Sequence, residues 1–298
     1  MFTLAECLPA AGELWPLPGA QDNKYSGVTA VIAGSTTYPG AGVLTVRAAV
    51  AATSPMVRLV TSAEQTRSIV ISQLPEVVPA RSAEEAGRVD AWVCGPGLEQ
   101  DTPSTDVVRW LLQQPQRVVL DASALNILAA EPELRRLMQK RQEAGQVTVL
   151  TPHAGEFARL AKALNRPDIA EDAGTDQPTA VREAATVWLA EQLHATVLLK
   201  GRESIISDGS RAWTVDTGSS WAATAGSGDV LAGILGAVLA GVDQYLPVTH
   251  SVVAAVTVHA QAAALAAQLP EGEAPVSASV IADHIRPAVA TALRAAGR

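Results

Sequence analysis

Residues 147–164 read VTVLTPHAGEFARLAKAL and change character twice. The run VTVLT (147–151) is apolar and β-branched, as a buried strand is. TPHAGE (151–156) is polar and turn-forming. Phe157, Leu160, Ala161 and Leu164 then recur at helical spacing, which predicts a helix over 154–164. The pattern recurs along the chain. VTAVIA (28–33), VRLVT (57–61), DAWVC (90–94), RVVLD (117–121) and TVLLK (196–200) read as buried strands, with helices predicted at about 41–53, 104–114, 132–144 and 178–193. Strands alternating with helices of this length pair in parallel through right-handed crossovers. SIISD and AWTV (204–215) read instead as an antiparallel hairpin with Asp208, Gly209 and Ser210 in its turn, and the chain after Asp229 is almost wholly helical. The fold class is therefore α/β, a mostly parallel central sheet with helices on both faces. No internal repeat is present, and 165–178 (NRPDIAEDAGTDQP) reads as a surface loop inside one domain.

Composition narrows the function classes. The chain has 298 residues, 48% of them hydrophobic and only 4% aromatic, which suits closely packed helices on a sheet. A formal charge of −8 argues against nucleic acid as a partner, because that affinity rests on clustered Lys and Arg. Two distant cysteines, Cys7 and Cys94, make neither a disulfide framework nor a zinc pattern. The first residues, MFTLAECLPAAGELW, place Glu6 and Glu13 where a signal peptide would be apolar. VVAAVTVHAQAAALAAQL (252–269) reads as a buried helix rather than a membrane span, since His259 and Gln261 interrupt it. A cytoplasmic protein is expected.

The position of the polar residues is more informative. GPG (95–97), DASALN (121–126), TPHAGE (151–156) and KGRES (200–204) each follow a predicted parallel strand. The carboxyl edge of such a sheet is where ligands bind. A further corner lies in WAATAGSGDVLAGILGAVLAGV (221–242), where Val230, Leu231, Ile234, Leu235, Val238 and Leu239 would bury a wide helical face. Gly226, Ser227 and Gly228 then form the mouth of that helix, an anion hole of unpaired N–H groups. Asp229 in the first turn is placed to take a proton from an attacking hydroxyl, as a kinase catalytic Asp does. It could equally cap the helix.

The other candidates also have plain structural readings. Lys200, followed by Gly201, is either a phosphate partner or a charged strand end. His153 is a ligand contact or a turn histidine, and Asn126 a supporting site residue or a cap. GSTTYPGAG (34–42) is a wall for a flat ligand or a permissive turn; it is neither a Walker A loop nor a dinucleotide glycine motif. His194, His250, His259 and His284 lie in helical patterns and receive no role.

Taken in order, IAGSTTYPGAGVLTVRAAVAA, VCGPGL, VLDASALNIL, VTVLTPHAGEFARL, VLLKG and TAGSGDVLAGILGAVLAG resemble the ADP- or ATP-dependent NAD(P)H-hydrate dehydratases of the ribokinase-like superfamily. The resemblance runs from about Gly27 to Val242. It implies repair of hydrated NADH and NADPH, in which ADP or ATP with Mg2+ phosphorylates the added hydroxyl and loss of phosphate restores the nicotinamide ring. Ala41, Gly97, His153 and Asp229 would line the hydrated-nucleotide site. Lys200, Gly201, Arg202, Glu203 and Ser204, with Gly228, would hold the adenine nucleotide. Asp229 would be the general base, and metal ligands are not specified.

Four positions depart from the family pattern. Ala154 stands where proline is usual. Ser123 replaces a carboxylate near the phosphates or metal. Glu99 brings negative charge toward an anionic substrate, and Arg202 offers an added phosphate contact. Many bacterial relatives carry a fused epimerase. Residues 1–26 are too few for one, so the expectation is an N-terminal extension and a single domain over 27–298, with any epimerase a separate protein. A homo-oligomer, a tetramer among the options, is expected; the Ala- and Val-rich helices at 247–269 and 277–296 could pack against a neighbouring subunit or equally close the domain's own core. Two other functions fit parts of the pattern: a kinase for a hydroxymethyl pyrimidine or thiazole alcohol, and a nucleotide-binding protein without turnover.

Overall fold

The computed structural model describes residues 1–52 and 55–298. In chain order its elements begin with β1 (Phe2–Thr3), α1 (Leu4–Leu14), β2 (Val28–Ile32), α2 (Pro39–Ala51), β3 (Met56–Val60), α3 (Glu64–Gln73) and β4 (Val78–Ala80). Next come β5 (Ala91–Cys94), α4 (Thr102–Leu111), β6 (Arg117–Leu120), α5 (Ser123–Ala130), α6 (Pro132–Glu143), β7 (Thr148–Leu150) and α7 (Ala154–Ala163). The rest is α8 (Thr179–Leu193), β8 (Thr196–Leu199), β9 (Glu203–Ser207), β10 (Ala212–Asp216), α9 (Ser227–Gly241), α10 (Val248–Ala267), the ribbon β11 (Gln268–Leu269) and β12 (Gly272–Glu273), α11 (Ala278–Asp283) and α12 (Ile285–Ala295). The main sheet has the order β1-β10-β9-β8-β7-β6-β5-β2-β3-β4. From β8 to β4 every pair is parallel; β9 and β10 form the expected antiparallel hairpin, and β9 is also antiparallel to β8.

The strands read as unbroken apolar runs because both faces of the sheet are covered. In β5, Ala91 and Val93 join one core, with residues of α1, α2 and α9 to α12; Trp92 and Cys94 join the other, with α4 to α8. Cys7 and Cys94 are buried and unpaired, and burial pushes the Cys94 thiol up to about 12. Helix α10 is long and apolar enough to cross a membrane by length and composition, but it packs among α1, α9 and α12 with most of its residues buried.

The expected helix at 41–53 is observed as Pro39–Ala51, its start fixed by Pro39 at the first position, and Thr53 lies outside the described residues. Several elements escaped the sequence reading, helix α1 and the β11–β12 ribbon among them. Strands β1 and β4 are short edges, and β4 contains Pro79. Helix α3 is mostly polar, with Thr66 and Val70 its buried residues. Helix α5 starts after Ala122 at φ +49°, with no side-chain cap to announce it. Residues 1–26 supply β1, which pairs with β10, and α1, which packs on α10 and α12.

Glycines seat α9 against its neighbours. A Cβ on Gly233 would stand 2.2 Å from the Thr45 carbonyl oxygen of α2, and one on Gly236 would stand 2.2 Å from Val93 Cγ2 of β5. The helix is therefore drawn tightly between α2 and the sheet. Its N-terminus is thereby held over the carboxyl rim.

Candidate active site

The rim is organised around one partly buried cation. Lys200 follows β8 and its backbone N–H donates to the Pro152 carbonyl at 2.8 Å, which ties the β8 corner to the TPHAGE corner. Its Nζ lies 2.6 Å from Asp121 Oδ1 and 3.8 Å from Glu156 Oε2. Asp121 and Glu156 are themselves buried, and Thr151 Oγ1 donates to Asp121 Oδ1 at 2.7 Å. Burial works against the Lys200 charge, but Asp121 and Glu156, with Asp229 beyond them, overcome it and raise the lysine above its ordinary value. It stays an ammonium.

Glu156 has a second task. Its carboxylate accepts the His153 N–H at 2.8 Å, while His153 Nδ1 accepts the Gly155 N–H at 2.9 Å. This reciprocal cap starts α7. Because Nδ1 accepts, the ring proton belongs on Nε2. The histidine side chain is half exposed, and its Nε2 lies 3.5 Å from Glu156 Oε1.

Helix α9 brings in the remaining groups. Gly226 occupies the left-handed region at φ +85°, which turns the chain into the helix. No side chain caps the first N–H groups, and Asp229 sits in the first turn. Capping is therefore not what Asp229 does. A Cβ on Gly228 would stand 3.4 Å from Lys200 Nζ and 4.0 Å from Asp121 Oδ2, so the anion hole opens directly onto the lysine. Burial first, and then repulsion from Asp121, raise the Asp229 carboxyl to about 6 against the pull of Lys200. A carboxylate tuned this way is a weakly held base close to neutral pH.

Beneath the anion hole lies a residue that the sequence reading passed over. His259 of α10 is buried, with Nε2 3.0 Å from the hydroxyl of buried Ser227. Burial lowers its pKa to about 4, so the ring is neutral. A helical apolar pattern conceals which residue of a core helix touches a site on another; Asp121, Thr151 and Glu156 were likewise visible as rim residues but not as one network.

A cavity of about 620 Å3 extends from this network toward β9. Lys200, Gly201, Arg202, Ser204 and Gly228 line it, with Ser227 and His259 at its base. Glu203 turns away: its carboxylate accepts the Thr179 hydroxyl at 2.7 Å and lies 3.5 Å from Arg182 Nη1. Arg202 is exposed, 3.5 Å from Asp216 Oδ1. On the other side, Gly97 and Ala41 are brought together. Gly97 has φ +67°, and a Cβ there would stand 2.7 Å from Ala41 Cβ and 2.9 Å from the Tyr38 carbonyl oxygen.

The departures acquire local meanings. Ser123 Oγ donates to the Leu98 carbonyl at 2.7 Å, clamping α5 to the GPGLE loop. The hydroxyls of Thr37 and Ser35 hold the Glu99 carboxyl below the usual range. Asn126 Oδ1 accepts from Arg159 at 2.8 Å and joins α5 to α7. Among the described residues, no three His, Cys, Asp or Glu side chains converge as a metal cage.

Comparison with known proteins places this geometry. A bifunctional NAD(P)H-hydrate repair enzyme of Mycobacterium leprae is 46% identical over 287 residues, 93% of this chain and 54% of its own length. The chain thus spans about half the length of that relative. The ADP/ATP-dependent NAD(P)H-hydrate dehydratase of Bacillus subtilis, co-crystallised with ATP/Mg2+, superposes with a TM-score of 0.74 at 22% identity, covering 93% of this chain and 94% of that one. A ribokinase-like superfamily protein of Enterococcus faecalis superposes at 0.72 and 19% identity, covering 96% and 94%. The fold is ribokinase-like. The NAD(P)H-hydrate dehydratase family model spans residues 29–285, every rim corner described above included, and the chain belongs to that family.

Proposed function

We propose that this chain dehydrates hydrated NADH or NADPH at the expense of ADP or ATP. Asp229 accepts the proton of the added hydroxyl as its oxygen attacks the terminal phosphorus of the nucleotide. The bond from that phosphorus to the bridging oxygen breaks, leaving AMP or ADP. The carbon–oxygen bond of the new phosphate ester then breaks, phosphate departs, and a proton is lost from the neighbouring ring carbon as the double bond returns. The elements of water thus leave as phosphate and protons.

The observation that carries the reading is Asp229, raised to about 6 in the uncapped first turn of α9 beside the Lys200–Asp121 pair. Lys200 and the N–H groups of Gly226 and Gly228 would receive the phosphates, the Ser227 N–H being taken by the Thr224 carbonyl at 3.2 Å, with Ser204 and the Gly201 backbone along the cavity behind them. Gly97, Ala41 and the His153 ring would flank the hydrated ring. Magnesium would enter with the nucleotide as part of the substrate, since this ion commonly binds through phosphates and one or two carboxylates.

The test mixes the protein with hydrated NADH, magnesium and either ADP or ATP, and follows the return of NADH absorbance. Turnover with one nucleotide identifies the donor. Asp229→Asn should lower kcat about a hundred- to ten-thousand-fold while nucleotide affinity changes little. Recovery of a stable phosphorylated alcohol from another substrate, with no NADH formed, would refute the reading in favour of a kinase.

A further inference from the structure

The dehydratase reading leaves the far half of a dinucleotide without a place. Along the rim the strand order is β9, β8, β7, β6, β5, β2, β3, β4. The donor cavity lies at the β8–β9 end, and the reaction centre lies between Lys200 and the contact of Gly97 with Ala41. A substrate whose reactive ring sits there cannot extend past Lys200 without entering the donor's space. The open direction runs over the ends of β5, β2 and β3. Neighbouring strands are about 4.8 Å apart, so the ends of β6 and β3 are separated by roughly 14 Å, a span that suits a pyrophosphate bridge between two nucleosides.

A second cavity of about 410 Å3 opens at that end of the rim. Its wall nearest the reaction centre is the GPGLE loop, through Leu98 and Glu99. Ser35, Thr36, Ser62 and Ser82 are among its polar lining residues, and Leu98 and Val107 among its apolar ones. This mixture suits a ribose and a flat base. The charges are uneven: the lining includes three acidic residues, Glu84, Glu99 and Asp101, and one basic residue, Arg81.

We propose that this cavity seats the second nucleoside of the hydrated dinucleotide, and that Glu99 accepts a hydroxyl of its ribose. The inference rests on the dehydratase reading. A carboxylate at a ribose 2′-hydroxyl marks sites for the unphosphorylated dinucleotide, whereas a 2′-phosphate calls for arginine. Three carboxylates around the cavity oppose an added phosphate. Hydrated NADH is therefore the preferred substrate, and Glu99, one of the departures from the family pattern, sets the preference.

Steady-state rates with hydrated NADH, hydrated NADPH and hydrated reduced nicotinamide mononucleotide test this, the last lacking the second nucleoside. The wild type should favour hydrated NADH over hydrated NADPH about tenfold or more in kcat/KM, the scale of one hydrogen bond to a charged group. Glu99→Gln should bring the two substrates together through KM with kcat retained. Ser62→Trp, which fills the cavity from an exposed position, should raise KM about tenfold for both dinucleotides and leave the mononucleotide's KM as in wild type. An equal rise with the mononucleotide makes the effect structural and overturns the cavity assignment. Equal use of both dinucleotides by the wild type, or preference for hydrated NADPH, overturns the role of Glu99. Absence of turnover with all three hydrates overturns the dehydratase reading itself.

Discussion

At the scale of single residues, the site works by burying charges that would rather be wet. Asp229 has to be ionised to accept a proton, so kcat/KM should fall as pH drops through about 6. Asp121→Asn removes the repulsion and frees the Lys200 charge to act on Asp229, which should move that acid limb to lower pH; a pH–rate profile of both proteins checks it. His259 acts in the opposite sense. Its pKa falls from 6.5 unfolded to about 4 folded, because the buried ring resists a charge. The stability this contributes is present above pH 6.5 and is lost as pH falls toward 4, up to about 3 kcal/mol. His259→Gln should flatten that loss in denaturant titrations at pH 7 and pH 4.5. Asp229 and Lys200 stood out as candidates in the sequence because each lies at a polar corner next to an apolar run, Lys200 after TVLL and Asp229 before VLAGIL. The Ser227–His259 contact was not, since it joins two helices 32 positions apart.

At the scale of elements, the catalytic corner is only as well placed as the helix behind it. Gly233→Ala puts a methyl group 2.2 Å from the Thr45 carbonyl oxygen, so α9 and α2 must part. Overpacking of this kind costs about 1–3 kcal/mol, and kcat should fall as well, because Asp229 lies one turn along the same helix. Gly40 of α2 has nothing within 4 Å of an added Cβ, and alanine there should stabilise by up to about 1 kcal/mol. Thermal melts of the two variants should therefore shift in opposite directions. The long helices and central strands were legible because burial on one face or both dictates their periodicity. Helix α5 was not: SALNILAA is short, lacks a cap, and follows a left-handed Ala122, a conformation imposed by the packing of the DASALN corner. Edge strands β1 and β4 were missed because two or three residues carry no period.

At the scale of the whole molecule, the ends of the described chain close one face of the structure. Helix α1 packs on α10 and α12, and Arg298 donates to the carbonyls of Gly12, Glu13 and Trp15 at the end of α1. Trp15 is 1% exposed, and its Nε1 has no hydrogen-bond partner among the described residues. Its contribution must then come from the apolar bulk of the ring rather than from its polar handle. Trp15→Ala should cost about 3–5 kcal/mol through the cavity it leaves. Trp15→Phe removes a buried unpaired donor along with part of the ring, so its cost should be a small fraction of that. Urea unfolding of the two variants separates these terms. A large loss in both would mean that Nε1 has a partner after all. Loss in the alanine variant alone, with kcat of the folded protein unchanged, would show the face as a support for α10, whose His259 reaches the anion hole from below.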